Sequence, residues 1–176
     1  MLGNKTLKST LFAGLLALAG LTLSIQAKAD CNFVSTKDGS PLNIKAVETD
    51  TPEAKEFIKT CVNPYTKKFA SDPEAAKIGK KRFGFWSCSQ CHGGNGGGQT
   101  GPSILDNNWQ YAKHVSDKGM FETIAGGTNA GMPTWHQQTS GNPELVTTDD
   151  IIKIIGWLRA SYSGGGDKPW ENEKPQ

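Results

Sequence analysis

Apolar residues recur at three- and four-residue intervals along several stretches of the chain, and the elements this pattern predicts are helices. At Asp72 a capping carboxylate, then Pro73 and Glu74, open a segment with Ala75, Ile78, Gly79, Arg82, Phe83 and Trp86 at helical spacing, ending just before Cys88. Asp117 is placed to cap a shorter helix bearing Phe121 and Ile124, which stops at Gly126-Gly127. Thr147, with Asp150 three residues on, resembles a capping box. Ile151, Ile154, Ile155, Leu158 and Tyr162 line one face of the helix that follows, up to Gly164-Gly165-Gly166. A short helix is also expected from Glu53 to Cys61, through Ala54, Phe57 and Ile58. The pattern divides the chain into a leading extension (30–71), a compact core (72–163) and a flexible polar tail (164–176). Two long glycine-rich loops, Gly93 to Asn108 and Gly126 to Asn142, interrupt the core. A domain this small cannot easily support such loops with side chains alone, so something large and apolar should fill its middle.

The first residues follow a different pattern. Lys5 and Lys8 precede an uncharged apolar run from Leu11 to Leu23, and Ala27-Lys28-Ala29 gives a small-x-small cleavage pattern. Residues 1–29 are therefore expected to be a signal peptide, with the mature chain starting at Asp30. The run is short of the roughly 20 apolar residues a membrane span needs, so no anchor should remain after cleavage. The leader holds Lys5, Lys8 and Lys28 and no acid; without it, 16 basic residues face 17 acidic ones, formally −1 rather than +2. No basic stripe interleaved with aromatics is visible, which argues against a nucleic-acid partner. Export also exposes the four cysteines to an oxidising compartment. Cys31 and Cys61 lie 30 residues apart without other obvious partners, and a disulfide between them is expected, two free thiols being the alternative.

The chemistry concentrates in Cys88-Ser89-Gln90-Cys91-His92. Two thiols at this spacing can add across the vinyl groups of haem, and the adjacent imidazole then meets the iron from one side. A zinc half-site would need a second ligand pair at matching spacing, and only the scattered His114 and His136 are on offer. A thioredoxin-like pair would follow a strand, whereas a helix precedes this one. One covalently attached haem c is the expectation.

A second iron ligand must come from the other side, with Met120, Met132, His114 and His136 as candidates. Met120 reads as core filler on a short apolar helix. Met132 lies in Ala130-Gly131-Met132-Pro133-Thr134-Trp135, where glycine permits close approach and proline stiffens the loop. His92 and Met132 are therefore the expected metal ligands, a pairing that raises the reduction potential relative to histidine alone. The Pro102 carbonyl could accept the second ring N–H of His92 and fix the imidazole. Trp109 and Tyr111 carry N–H and O–H groups on apolar rings, suited to holding haem propionates, though plain core packing explains them equally well.

The order of helix, Cys-x-x-Cys-His, Gly101-Pro102, Gly131-Met132-Pro133-x-Trp135 and closing helix resembles the class I cytochromes c over residues 72–163. The resemblance implies an all-α fold in which Gly79 and Phe83 meet Trp157. More narrowly, Trp86 to Gly93, Asn108 to Tyr111, Gly119 to Gly127 and Ile154 to Arg159 are similar to the cytochrome cL family. Those proteins accept electrons from pyrroloquinoline-quinone (PQQ) methanol dehydrogenases, and the version here looks closer to the branch paired with the lanthanide-dependent enzyme. The resemblance implies a periplasmic monohaem electron carrier rather than an enzyme, with that dehydrogenase as donor and a downstream cytochrome or oxidase as acceptor. The rival readings are a carrier serving another dehydrogenase, and a haem enzyme with an open iron position.

Overall fold

In the computed structural model, the described residues are 31–176; the expected signal peptide lies outside them. They form an all-α arrangement, with pairing between extended segments limited to two isolated bridges, Val34 with Pro41 and His136 with Val146. The elements in chain order are α1 (Pro52–Thr60), α2 (Pro64–Ser71), α3 (Pro73–Phe85), α4 (Ser89–His92), α5 (Asp117–Gly126), α6 (Gln137–Ser140) and α7 (Thr148–Ala160). Short 3₁₀ turns cover Ala112–Val115 and Pro169–Asn172.

Local signals set most of these boundaries. Thr51, Asn63 and Asp72 each cap a helix that begins with proline, their side chains accepting the N–H groups of Ala54, Tyr65 and Ala75. Thr147 caps α7 through the Asp150 N–H. The Asp150 carboxylate does not complete a reciprocal box; it accepts from Trp86 Nε1 at 2.8 Å and pairs with Arg82 at 2.9 Å. Ser116, not Asp117, caps α5, accepting from Gly119 N. Asp117 is instead buried against Arg159 at 2.7 Å, so its carboxylate is spent on an ion pair. The buried side of α3 is Ala76, Gly79 and Phe83, while Ile78 is 40% exposed, because the helix presents only a narrow seam to α7. At that seam a Cβ on Gly79 would stand 2.5 Å from Trp157 Cβ, and the Phe83 and Trp157 rings lie 5.0 Å apart. The expected contact of Gly79 and Phe83 with Trp157 is present.

The expected division into extension, core and tail needs correcting. Residues 31–71 share one core with the later helices: Phe33, Phe57 and Phe121 form a triangle with centroids 4.8–5.6 Å apart. Tyr65 and Phe69 of α2 close over Gly156 of α7, where a Cβ would stand 2.8 Å from Tyr65 Cβ. Cys31 and Cys61 form the expected disulfide, with Cα atoms 5.4 Å apart.

The tail is docked rather than flexible. Trp170 is buried, its ring centroid 4.0 Å from the Arg159 guanidinium, in T-shaped contact with Trp109 and Tyr162. Glu173 accepts the Asp117 N–H at 2.8 Å. The polar, glycine-rich composition hid one large apolar side chain with a cationic partner. Both ends of the described chain meet the last turn of α1: Cys31 N donates to Ile58 O at 2.8 Å and Gln176 N to Thr60 O at 3.2 Å.

Candidate functional site: a haem attachment segment and a methionine loop

The attachment segment begins where α3 stops. Ser87 takes a left-handed backbone, φ 60°, and the chain reverses there, with Ser87 N bonded to Gly84 O and Cys88 N to Phe83 O. Such a conformation is strained for serine and persists because the bonds on either side determine it. The turn sets Cys88 at the N-cap of α4 and carries Cys91 and His92 within its single turn, with neither thiol in a disulfide.

His92 Nδ1 stands 2.8 Å from the Pro102 carbonyl oxygen. A carbonyl can only accept, so Nδ1 carries the proton and Nε2 keeps its lone pair for a metal. The loop returns tightly beneath the ring. Gly98 N bonds His92 O and Gly101 N bonds Cys91 O, both at 2.8 Å. A Cβ on Gly101 would lie 3.2 Å from His92 Cε1, closer than most side chains approach. Cys88, Cys91, His92 and Pro102 are thus brought together in one unit. Its donor set suits a covalently attached haem: two thiols one helical turn apart and an imidazole with a fixed tautomer.

Met132 belongs to a second unit. Thr128 N bonds Met132 O at 2.9 Å, and the Thr128 hydroxyl accepts from Met132 N at 3.3 Å. Gly127 has φ 72°, and a Cβ there would stand 2.6 Å from Met132 O, so only glycine fits. The loop then joins its neighbours through Trp135 N to Ile124 O, His136 N to Ala125 O and Val146 N to Trp135 O.

The other candidate ligands are occupied. His136 is fully buried; its Nδ1 accepts from Gln138 N at 3.2 Å, so its Nε2 donates to Thr148 Oγ1 at 2.9 Å. Burial pushes its pKa down to about 4, which keeps it neutral. His114 Nε2 is 2.9 Å from Thr123 Oγ1, and burial, then the nearby Arg159 and Lys113, lower its pKa to about 4. Met120 is buried in α5.

Trp109 and Tyr111 fall in a third group. Trp109 stacks on Tyr162 at 5.8 Å beside Trp170, and Tyr111 meets the edge of His114 at 5.3 Å. Sequence reasoning missed the hub of this group, Arg159, and its partner Trp170. The signals were a tryptophan in a polar tail and an arginine beside the apolar positions of α7.

An all-helical core in which α3 packs on α7, with a Cys-x-x-Cys-His turn directly after α3 and a glycine-methionine-proline loop after α5, defines a class I c-type cytochrome. Residues 74–157 match the family model described as cytochrome C oxidase, cbb3-type, subunit III. Over 169 residues the chain is 34% identical to "Cytochrome c-L" of Methylorubrum extorquens, covering 90% of this chain and 80% of that protein. Crystal structures of cytochrome cL from the marine methylotrophic bacterium Methylophaga aminisulfidivorans MPT and from Hyphomicrobium denitrificans each superpose with a TM-score of 0.64 at 32% identity. They cover 82% and 84% of this chain, and 94% and 88% of their own. The chain belongs to the cytochrome c-L family. It is a monohaem electron carrier with covalently bound haem c.

Proposed function

We propose that the chain carries electrons in the periplasm from a PQQ-dependent methanol or alcohol dehydrogenase toward a downstream cytochrome or oxidase, with His92 and Met132 as the residues that would ligate the haem iron. The observation that carries the ligand assignment is the prior engagement of every competitor. His136 uses both ring nitrogens, His114 bonds Thr123, and Met120 is core, whereas Met132 lies on an outer loop and is only half-buried. The bound haem supplies a one-electron ferric/ferrous couple. The chain's residues do the rest: Cys88 and Cys91 hold the ring, Pro102 fixes the His92 tautomer, and the loop after α5 presents a soft sulfur. Trp109 and Tyr111 are assigned to the propionate edge, the plane of Trp109 being set by Tyr162.

The donor assignment rests on the family, and the lanthanide-dependent branch on the segments that resemble it. Among the described residues no helix is long and apolar enough to cross a membrane. Docking is assigned to Gly101-Pro102-Ser103 with Ala130-Gly131-Met132, uncharged stretches in which Ala130 and Gly131 are exposed. With a mature charge near zero, long-range steering is weak.

Rapid mixing with a reduced quinoprotein alcohol dehydrogenase tests this reading. Fast reduction is expected, changing only modestly between low and physiological salt, and Ala130→Glu should slow it while sparing the haem spectrum. If no such dehydrogenase reduces the protein, the donor assignment falls and the carrier reading alone stands.

A further inference from the structure

The segment 31–45 runs along the outside of the methionine loop. Its start is tied to α1 by the Cys31–Cys61 disulfide. Its far end is tied to α6, where Lys45 N donates to Gln138 Oε1 at 2.9 Å and Gln138 Nε2 donates to Lys45 O at 2.8 Å. Between these anchors lies a tight turn, closed by Ser35 N to Ser40 O at 2.7 Å and Gly39 N to Ser35 O at 2.9 Å. The Asp38 carboxylate stiffens the turn by accepting from Ser40 N and Oγ. Thr36 fixes the turn to α5 through Thr123 at 2.8 Å, and Lys113 Nζ reaches Val34 O and Thr36 Oγ1.

At the tip, Lys37 touches the ligand loop on both sides of Met132. Its carbonyl accepts from Asn129 Nδ2 at 3.0 Å, and its ammonium donates to Thr134 Oγ1 at 3.1 Å. Thr134 passes the constraint on, donating its hydroxyl hydrogen to Gly126 O at 2.9 Å at the end of α5. One residue from far upstream therefore spans positions 129 and 134. The side chain of Lys37 is exposed, so these contacts add little to the core. Their effect is geometric.

We propose that Lys37 is a positioning residue for the axial methionine: by bridging Asn129 and Thr134 it holds the two limbs of the loop together and sets how often Met132 leaves the iron. This rests on the reading of Met132 as iron ligand. For the sulfur to swing away, the loop between Gly127 and Trp135 must open, and opening separates at least one limb from a strap anchored at both ends. Each Lys37 contact is lost in the opened loop and kept in the closed one, so each slows opening.

The test uses the full-chain ferric holoprotein mixed with imidazole, which binds the iron only after the methionine departs. At saturating imidazole the observed rate is the rate of loop opening. Lys37→Met removes the bond to Thr134, and Asn129→Ala the bond to the Lys37 carbonyl. Each should raise the saturating rate roughly fivefold, the factor one net hydrogen bond is worth, and the double variant should exceed either. Lys37→Arg, which keeps a donor, should stay near the wild-type rate. Lys55→Met, which removes an exposed ammonium that donates to Glu48 O, should not move it. Unchanged rates in the double variant overturn the proposal, as does equal acceleration in Lys55→Met, which would mark a nonspecific effect. A wild-type protein without the weak red absorption band of a thioether–ferric-iron bond would overturn the ligand assignment itself, and the role of Lys37 with it. With that band intact and the rates unmoved, only the role of Lys37 fails.

Discussion

The attachment segment and the methionine loop differ in how far each reaches for support. Around His92 the bonds are local: Cys88 N to Phe83 O, Gly98 N to His92 O, Gly101 N to Cys91 O, Ile104 N to Gly96 O and His92 Nδ1 to Pro102 O all fall between residues 83 and 104. Around Met132 the local bonds to Thr128 and Gly126 are joined by distant ones: Lys37 from the leading segment, Val146 beyond α6, and His136 fixed by Thr148 of α7. The difference follows from the chemistry. On the proposed ligation, two thioether bonds would hold the haem on the attachment side, so backbone near the cysteines need only orient an imidazole. A methionine sulfur is a weak ligand with no covalent tether to the ring, and its place must be determined by the rest of the fold.

The largest expected effect is at the sulfur itself. Met132→Ala should leave haem attached through Cys88 and Cys91, abolish the red thioether–iron band and lower the reduction potential, as read by spectrum and redox titration. Retention of an unaltered band would identify another ligand and break the comparison. Next is the anchor of the leading segment. Replacing Cys31 and Cys61 together by serine should cost about 3–4 kcal/mol in the chain-entropy model for a 30-residue span, measured by urea denaturation. If support is distributed as described, this variant should also raise the rate of imidazole binding to the ferric iron. An unchanged rate would show that α5 and α7 support the loop without the leading segment.

Two glycines sharpen the contrast further. Gly127→Ala combines a positive φ with a Cβ 2.6 Å from Met132 O, both on backbone, and should cost about 2 kcal/mol or more while weakening the red band. Gly101→Ala meets His92 Cε1 at 3.2 Å and Cys91 O at 3.3 Å, contacts relieved by small shifts. It should cost under about 1 kcal/mol and leave the band in place. The reverse ranking would mean that the attachment side is the stricter of the two.

A separate effect is with pH. His136 and His114 have folded pKa values pushed down to about 4, against about 6.5 in an unfolded chain. Between those values the unfolded state binds more protons. Their contribution to stability is therefore full above about pH 6.5, falls as pH drops toward 4, and is gone below, where both states are protonated. Glu173, its pKa pushed up to about 7 chiefly by burial, contributes in the opposite sense over the same window. The ring itself is therefore the readout: a His136 imidazole that titrates near 6.5 in the folded protein, followed by NMR, would contradict the buried, neutral side chain at the root of the methionine loop.

The same contrast decides what could be read from the sequence. Cys88 to His92, Gly101-Pro102 and the helix caps at Asp72 and Thr147 were legible because the residues that act together are neighbours in the chain. The helical spacing of α1, α3, α5 and α7 was legible for the same reason, including Gly79 with Phe83 against Trp157 once a family pattern supplied the crossing. Lys37 was not legible, since nothing in a polar turn tells that its partners lie about ninety residues downstream. Asp117 looked like a cap because its partner Arg159 is on another helix. The tail looked flexible because its contacts, the Trp170 ring on that same arginine and Glu173 on the Asp117 N–H, reach residues far from it in the chain.

One consequence follows from the last turn of α1, which receives both Cys31 and Gln176. Within the described residues the polypeptide is a nearly closed loop whose ends meet on a shared seat two residues wide, Ile58 and Thr60. Domain ends are where fraying ordinarily starts; here each end is stapled to the same helix, one by a covalent bond. A short linker from Gln176 to Cys31 would close the circle, and the chain could then be opened in a surface loop without crossing the haem-bearing half. New ends opened between Ser163 and Asp167 would leave the leading segment, the attachment turn and the methionine loop in their present order.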